Sequence, residues 1–293
     1  MTTAELRAQR LAPGEAELPN GPALWRAQLG AMLWLELRRS MLSRRGLVLY
    51  LFAGIPIFIM TVIALVRVPG GQPVFENLED ARRGFAFVYQ ILILRMIVFF
   101  GCVTVFSNLI RGEILQRAFH YYLLSAIRRP LLVLGKYLAG LVQTSLLFVA
   151  SLLLCYGLLY APFGLERGLE DFFSGPGGVQ LLAYIGITVL ACVGYGAMFL
   201  AIGVLLKNPV LPAVILFFWE LLHDLLPPAL KQATVVHYLK GLAPVPVDLP
   251  LIAVVSDPPP ALVSVVGLLI FASVGVAIAA FFVQRKEVDY GED

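Results

Sequence analysis

The chain has 293 residues, of which 59% are hydrophobic and only 14% charged, and its mean hydropathy is +0.85. A soluble globule runs nearer half apolar and a quarter charged, so this composition excludes one and points to an integral membrane protein. The net charge of +3 gives no reason to expect a nucleic-acid partner, and in a membrane protein the placing of Lys and Arg matters more than their sum.

Residues 1–22 contain Pro13, Pro19 and Pro22 among several charges, without an apolar period, and are expected to form a flexible cytosolic lead. The opening MTTAELRAQR lacks an apolar core and a small-residue cleavage site, so no cleavable signal peptide is expected. In residues 23–45, Trp25, Leu29, Met32 and Leu33 share one side of a helix, although Glu36 falls among them. Trp25 and Trp34 favour the headgroup layer, and Arg38, Arg39, Arg44 and Arg45 should stop at the cytosolic leaflet. This stretch reads as an amphipathic elbow helix.

Residues 46–66 then run without a charge. At about 1.5 Å per residue they suffice to cross a hydrocarbon core of about 30 Å. Pro56 inside this first span is tolerable because neighbouring groups can satisfy the carbonyl it frees. A loop rich in Gly, Pro and charge leads to a second span, about 85–110, interrupted by Gln90 and Arg95. A third span is expected at about 137–160, with Lys136 snorkelling at its cytosolic end. The fourth, about 179–206, is rich in small residues, and Ala197 with Ala201 makes a small-xxx-small pair that invites close helix approach. The turn Lys207-Asn208-Pro209 enters a fifth span, about 210–226, which is less clean because Glu220, His223 and Asp224 precede Pro227-Pro228. Residues 227–260 form an outer loop apolar enough for short helices that lie on, or dip into, the leaflet. The sixth span, about 261–283, carries the small pair Gly275 and Ala279.

With the N-terminus inside, fifteen of the 22 Lys and Arg fall on the cytosolic face and six on the other, Arg95 lying within a span. The positive-inside rule therefore selects an all-α protein of six transmembrane helices with both termini cytosolic, in one transmembrane domain over 23–293. The charged stretch 111–136 between spans two and three is then cytosolic, and it interleaves its charges with Phe119, Tyr121, Tyr122, Leu123 and Leu124 as an interfacial helix would.

Cys102, Cys155 and Cys192 all lie in apolar runs, which suggests neither a disulfide framework nor a metal cluster. The lone Gly-Lys pair, Gly135-Lys136, is followed by Tyr137 and lacks the upstream glycine of a P-loop. Nucleotide energy, if used, must come from another chain. His120, His223 and His237 are dispersed, and neither H-E-x-x-H nor G-x-S-x-G occurs.

Glu113 at the close of span two, the run HYYLLSAIRRP at 120–130 and the LGK at 134–136 resemble the membrane subunit of type-2 ABC exporters. In that family a glutamate is followed by a short helix with a Leu-Leu pair, a Pro, basic residues and a Gly-Lys. Here Glu113, Leu123-Leu124, Pro130, Arg128-Arg129 and Gly135-Lys136 stand for those, although the arginines precede Pro130 and Arg117-Ala118 stands where a Gly-Thr often follows the glutamate. The resemblance extends to the elbow, the six spans and the long outer loop. It implies an export permease of the plasma (inner) membrane that is not itself an enzyme. Its partners would be a dimer of cytosolic ATPase subunits, holding ATP and Mg, and a second permease, identical or homologous. It also implies that Glu113, Arg117, Phe119, Tyr122, Leu123, Leu124, Arg128 and Arg129 meet the ATPase. The plainer reading of 111–136 is a basic loop that merely obeys topology. A polytopic membrane enzyme and a non-transporting anchor or assembly subunit are the competing functions.

The intramembrane charges carry a separate expectation. An arginine at the bilayer centre costs about 2.5–3.5 kcal/mol on insertion scales, so Arg95 should find a carboxylate or a wet cavity. Glu220 lies at a depth that matches, and the pair, with His223 and Asp224, is a candidate for the translocation path. Alternatively Arg95 snorkels, or span five breaks early and leaves Glu220, His223 and Asp224 at the outer interface.

Overall fold

The computed structural model describes residues 30–31, 33–38, 44–66, 74–115, 129–206, 208–245, 247 and 259–285. Every regular element among them is helical. Helical backbone at 33–38 precedes α1, Arg44–Leu65. Next come α2, Leu78–Val88, a π-helix over Tyr89–Val98 and α3, Phe99–Leu115, which together make one uninterrupted rod. Helix α4 is Arg129–Tyr160, α5 Leu165–Phe173, α6 Gly177–Leu205 and α7 Val210–Leu221. Two short helices, α8 at Pro228–Lys231 and α9 at Val235–Lys240, lead to α10 at Ala261–Arg285.

Five helical stretches are long and apolar enough to cross a membrane, at Gly46–Leu65, Leu78–Leu109, Pro130–Phe163, Gly177–Leu205 and Ala261–Arg285. This is a multi-pass helical membrane protein. The stretch expected at 210–226 is shorter: α7 stops at Leu221 and a 3-10 turn follows at His223–Leu225. Pro227 ends the turn, because a proline disfavours helical backbone in the residue before it, and Leu226 is extended.

Two other boundaries differ from the sequence expectation for physical reasons. The second span was expected from about residue 85, but its helix starts at Leu78. Asn77 caps it by accepting the Asp80 N–H at 2.9 Å, and Glu79 and Asp80 favour the positive end of the helix dipole. The third was expected from 137, yet α4 begins at Arg129 with Pro130 behind it, where a missing N–H costs nothing. At about 1.5 Å per residue α4 is about 48 Å long, against a hydrocarbon core of about 30 Å.

Helix α6 is the hub and packs on α3, α4 and α10, while α1 packs mainly on α4. Its small residues make this possible: a Cβ at Gly203 would collide with the Ser107 backbone of α3, and one at Gly196 with the Phe106 ring. The small pairs of spans four and six meet, Gly275 facing the Ala197 backbone at a distance that leaves no room for a larger side chain. Cys102 and Cys192, both buried and unbridged, face each other across α3 and α6.

Interhelix contacts give the running directions. Tyr137 donates to Val193 O at 2.9 Å and Tyr156 to Gly177 O at 2.8 Å, so α4 and α6 are antiparallel. Gly194 lies by Leu268 and Ala197 by Gly275, so α6 and α10 run the same way. Opposite the pole of the bundle that holds Arg129 and Leu205, Arg82 donates to Asp171 at 2.6 Å and Tyr160 to the other Asp171 oxygen at 2.9 Å, which ties α2, α4 and α5 together.

Lys136, expected to snorkel to the surface, is instead fully buried and bonds Glu36 Oε1 at 2.5 Å. The same pair explains the acidic residue in the apolar stripe of residues 23–45: Glu36 turns inward to the lysine, while Trp34 and Leu35 stay exposed. The remainder of residues 23–43 lies outside the described residues apart from 30–31 and 33–38.

Candidate functional site

The polar groups inside the bundle gather where the π-helix, α6, α7 and α9 approach one another. Arg95 sits in the π-helix and is 7% exposed; Glu220 closes the last turn of α7 and is 2% exposed. π-helical turns are rare and often mark functional sites, and here one carries the buried Arg95.

Glu220 holds the start of α9. Its Oε1 accepts the Val235 N–H at 2.8 Å, its Oε2 accepts the Val236 N–H at 3.0 Å, and the Tyr195 hydroxyl of α6 donates to Oε2 at 3.3 Å. Thr234, the N-cap, takes the His237 N–H at 3.3 Å and donates its own hydroxyl to Lys231 O at 2.7 Å. The reason is the shortage of water. The first N–H groups of a helix have no internal partner, and each one left unsatisfied in hydrocarbon costs several kcal/mol. A carboxylate supplies two acceptors to neighbouring donors, and the charge-assisted bonds are the stronger kind.

Arg95 completes the electrostatics. Its guanidinium lies within electrostatic range of the Glu220 side chain and of Tyr195. Arg95 also lines a small cleft with Tyr89, Gln90, Val236, Leu239 and Lys240. Gln90 donates to Val245 O at 2.9 Å.

His223 is buried in the turn after α7, and its ring lies 5.9 Å from that of His237. His237 is outside the long spans; burial, then the neighbouring His223 and Lys231, hold its pKa below the ordinary 6.5. Asp224 lies in the same turn, its side chain outside the described residues. Among the described residues no group of three His, Cys, Asp or Glu side chains comes together as a metal site.

The residues assigned to ATPase contact fall mostly elsewhere. Arg117, Phe119, Tyr122, Leu123, Leu124 and Arg128 lie outside the described residues. Glu113 is in the last turn of α3 and Arg129 opens α4, with neither side chain described.

Sequence reasoning missed Tyr195, which looked like one more residue of a small-residue span, and the backbone donors of Val235 and Val236. One signal for the latter was available: Thr234 before Val-Val-His is an N-cap residue before an apolar run. Among known proteins, the chain matches no family model, no curated protein sequence and no solved structure.

Proposed function

We propose that this chain is the permease subunit of an export-type ABC transporter of the type-2 plan, driven by ATP hydrolysis in a separate dimeric subunit that holds ATP and Mg. One observation carries the reading. Residues 116–128, flanked by Glu113 in the last turn of α3 and Arg129 at the start of α4, join two long neighbouring helices in a chain without a P-loop of its own. A short element held between two such helices can turn closure of an external motor into helix movement.

The topology that goes with this reading has six crossings, an N-terminal elbow and both termini in the cytosol of a plasma-membrane protein. The running directions support it. Because α6 and α10 are parallel, the chain between them must return across the membrane, and α7 with the residues that follow is the segment available for that return. The Glu36–Lys136 bond supports an elbow docked where α4 leaves the charged segment. The lipid-exposed faces of α1 and α10 leave room for a second permease copy.

Both oxygens of Glu220 are engaged by Val235, Val236 and Tyr195, which suits a structural fastening better than a group that meets substrate.

The test is mild-detergent purification of the chain from its own cells, followed by identification of any P-loop ATPase that accompanies it. An ATPase that copurifies with the chain and loses coupling in Glu113→Ala or Tyr122→Ala is the expected result. Absence of an ATPase, together with no effect of either substitution on hydrolysis or transport, would overturn the proposal.

A further inference from the structure

We propose that residues 232–245 form a hinged strap over the Arg95 cleft, with the Glu220 carboxylate as its latch. Hydrogen bonds fasten the strap near both of its ends. At its leading end Glu220 receives the Val235 and Val236 N–H groups, and at its trailing end the Val245 carbonyl receives the Gln90 side chain. Between them Val236, Leu239, Lys240 and Ala243 form one wall of the cleft, and Tyr89, Leu94, Arg95 and Ile187 form the other.

A six-residue helix has no stability of its own, since nucleation costs more than so few internal bonds return. Its position therefore depends on what holds it. Apolar contacts help, because Val235 packs by Gly194 and Tyr238 by Gly267, but contacts of this kind are non-directional. The directional hold is the carboxylate. Both oxygens must accept for both N–H groups to be satisfied, so a neutral side chain of the same shape turns a donor toward a donor. Arg95 on the π-helix and Tyr195 on α6 act on the latch itself, while His223 and Lys231 act on His237, within the strap. Opening the strap would lift Val236 and Leu239 away and expose the guanidinium beneath. The strap does not depend on the transport reading, since it follows from contacts within one chain.

The experiment places a reporter thiol on the buried face of the strap. Full-length protein in detergent carries Leu239→Cys, with Cys102, Cys155 and Cys192 replaced by alanine. The rate of labelling by a bulky, charged maleimide is then measured with Glu220 intact and in Glu220→Gln. Loss of a charge-assisted hydrogen bond should raise strap opening, and with it labelling, by about tenfold. A thiol at Leu165, which is 78% exposed on α5, should label at the same rate in both proteins. Equal labelling of Leu239→Cys in the two backgrounds overturns the latch. Should Glu220→Gln fail to fold, Tyr195→Phe and Gln90→Ala carry the test: faster labelling in either supports the strap, and unchanged labelling in both overturns it.

Discussion

The fully buried ammonium of Lys136 in α4 meets the carboxylate of Glu36, which is only 12% exposed, at 2.5 Å. Breaking the pair from either side is testable. Glu36→Ala and Lys136→Met are each expected to lower stability, by about 1–3 kcal/mol, because a charged hydrogen bond in a buried place is lost. Replacing both by apolar residues should recover most of the loss. Unfolding in detergent by heat or denaturant measures all three, and strictly additive losses in the double variant would contradict the pairing.

Arg95 and Glu220 are both buried and lie within electrostatic range of each other, so their substitutions should not add. Arg95→Ala and Glu220→Ala are each expected to lower stability, with Glu220→Ala the worse because Val235 and Val236 lose their acceptors. A double-mutant cycle should return a coupling of about 1–3 kcal/mol. Strict additivity would remove the pair.

Close helix approach at α6 leaves no volume for a branched side chain. Gly203→Val would press on the Ser107 backbone of α3, and Gly275→Leu on the Ala197 backbone. Each should cost about 1–3 kcal/mol through overpacking. Leu262→Ala, at a position 78% exposed on α10, should change stability by less than about 0.5 kcal/mol. Melting temperatures of the three proteins decide the matter.

His237 gives the short helix α9 a pH dependence. Its pKa is lowered in the folded chain by burial and by His223 and Lys231, so the folded state binds its proton less readily than the unfolded state. Its contribution is then fully present above the ordinary 6.5 and is lost as pH falls through the lower folded value. The melting temperature should therefore decline on acidification below about pH 6.5, and His237→Asn should flatten that decline. An identical pH profile in the variant would assign the effect to another group.

The long spans were legible because a run without charge has one reading, as in 46–66. Helix ends were not, because they depend on single caps such as Asn77, whose side chain counts as one polar residue among several until its hydrogen bond is seen. Glu36 was visible as an anomaly in an apolar stripe, but its explanation lies 100 residues away at Lys136. Arg95 and Glu220 could be matched by depth alone. Their surroundings could not, since the partners of Glu220 are backbone N–H groups, which every residue but proline carries, and the π-helix around Arg95 leaves no mark in hydropathy.

The early start of α4 has a mechanical meaning. Seven helical residues, Arg129 to Gly135, precede the buried Lys136, and at about 1.5 Å each they extend the rod by about 10 Å. Lys136 is fastened to Glu36, Tyr137 and Tyr156 to the α6 backbone and Tyr160 to Asp171, so a force applied at Arg129 would be passed along one multiply fastened rod to its neighbours instead of being absorbed at the near end.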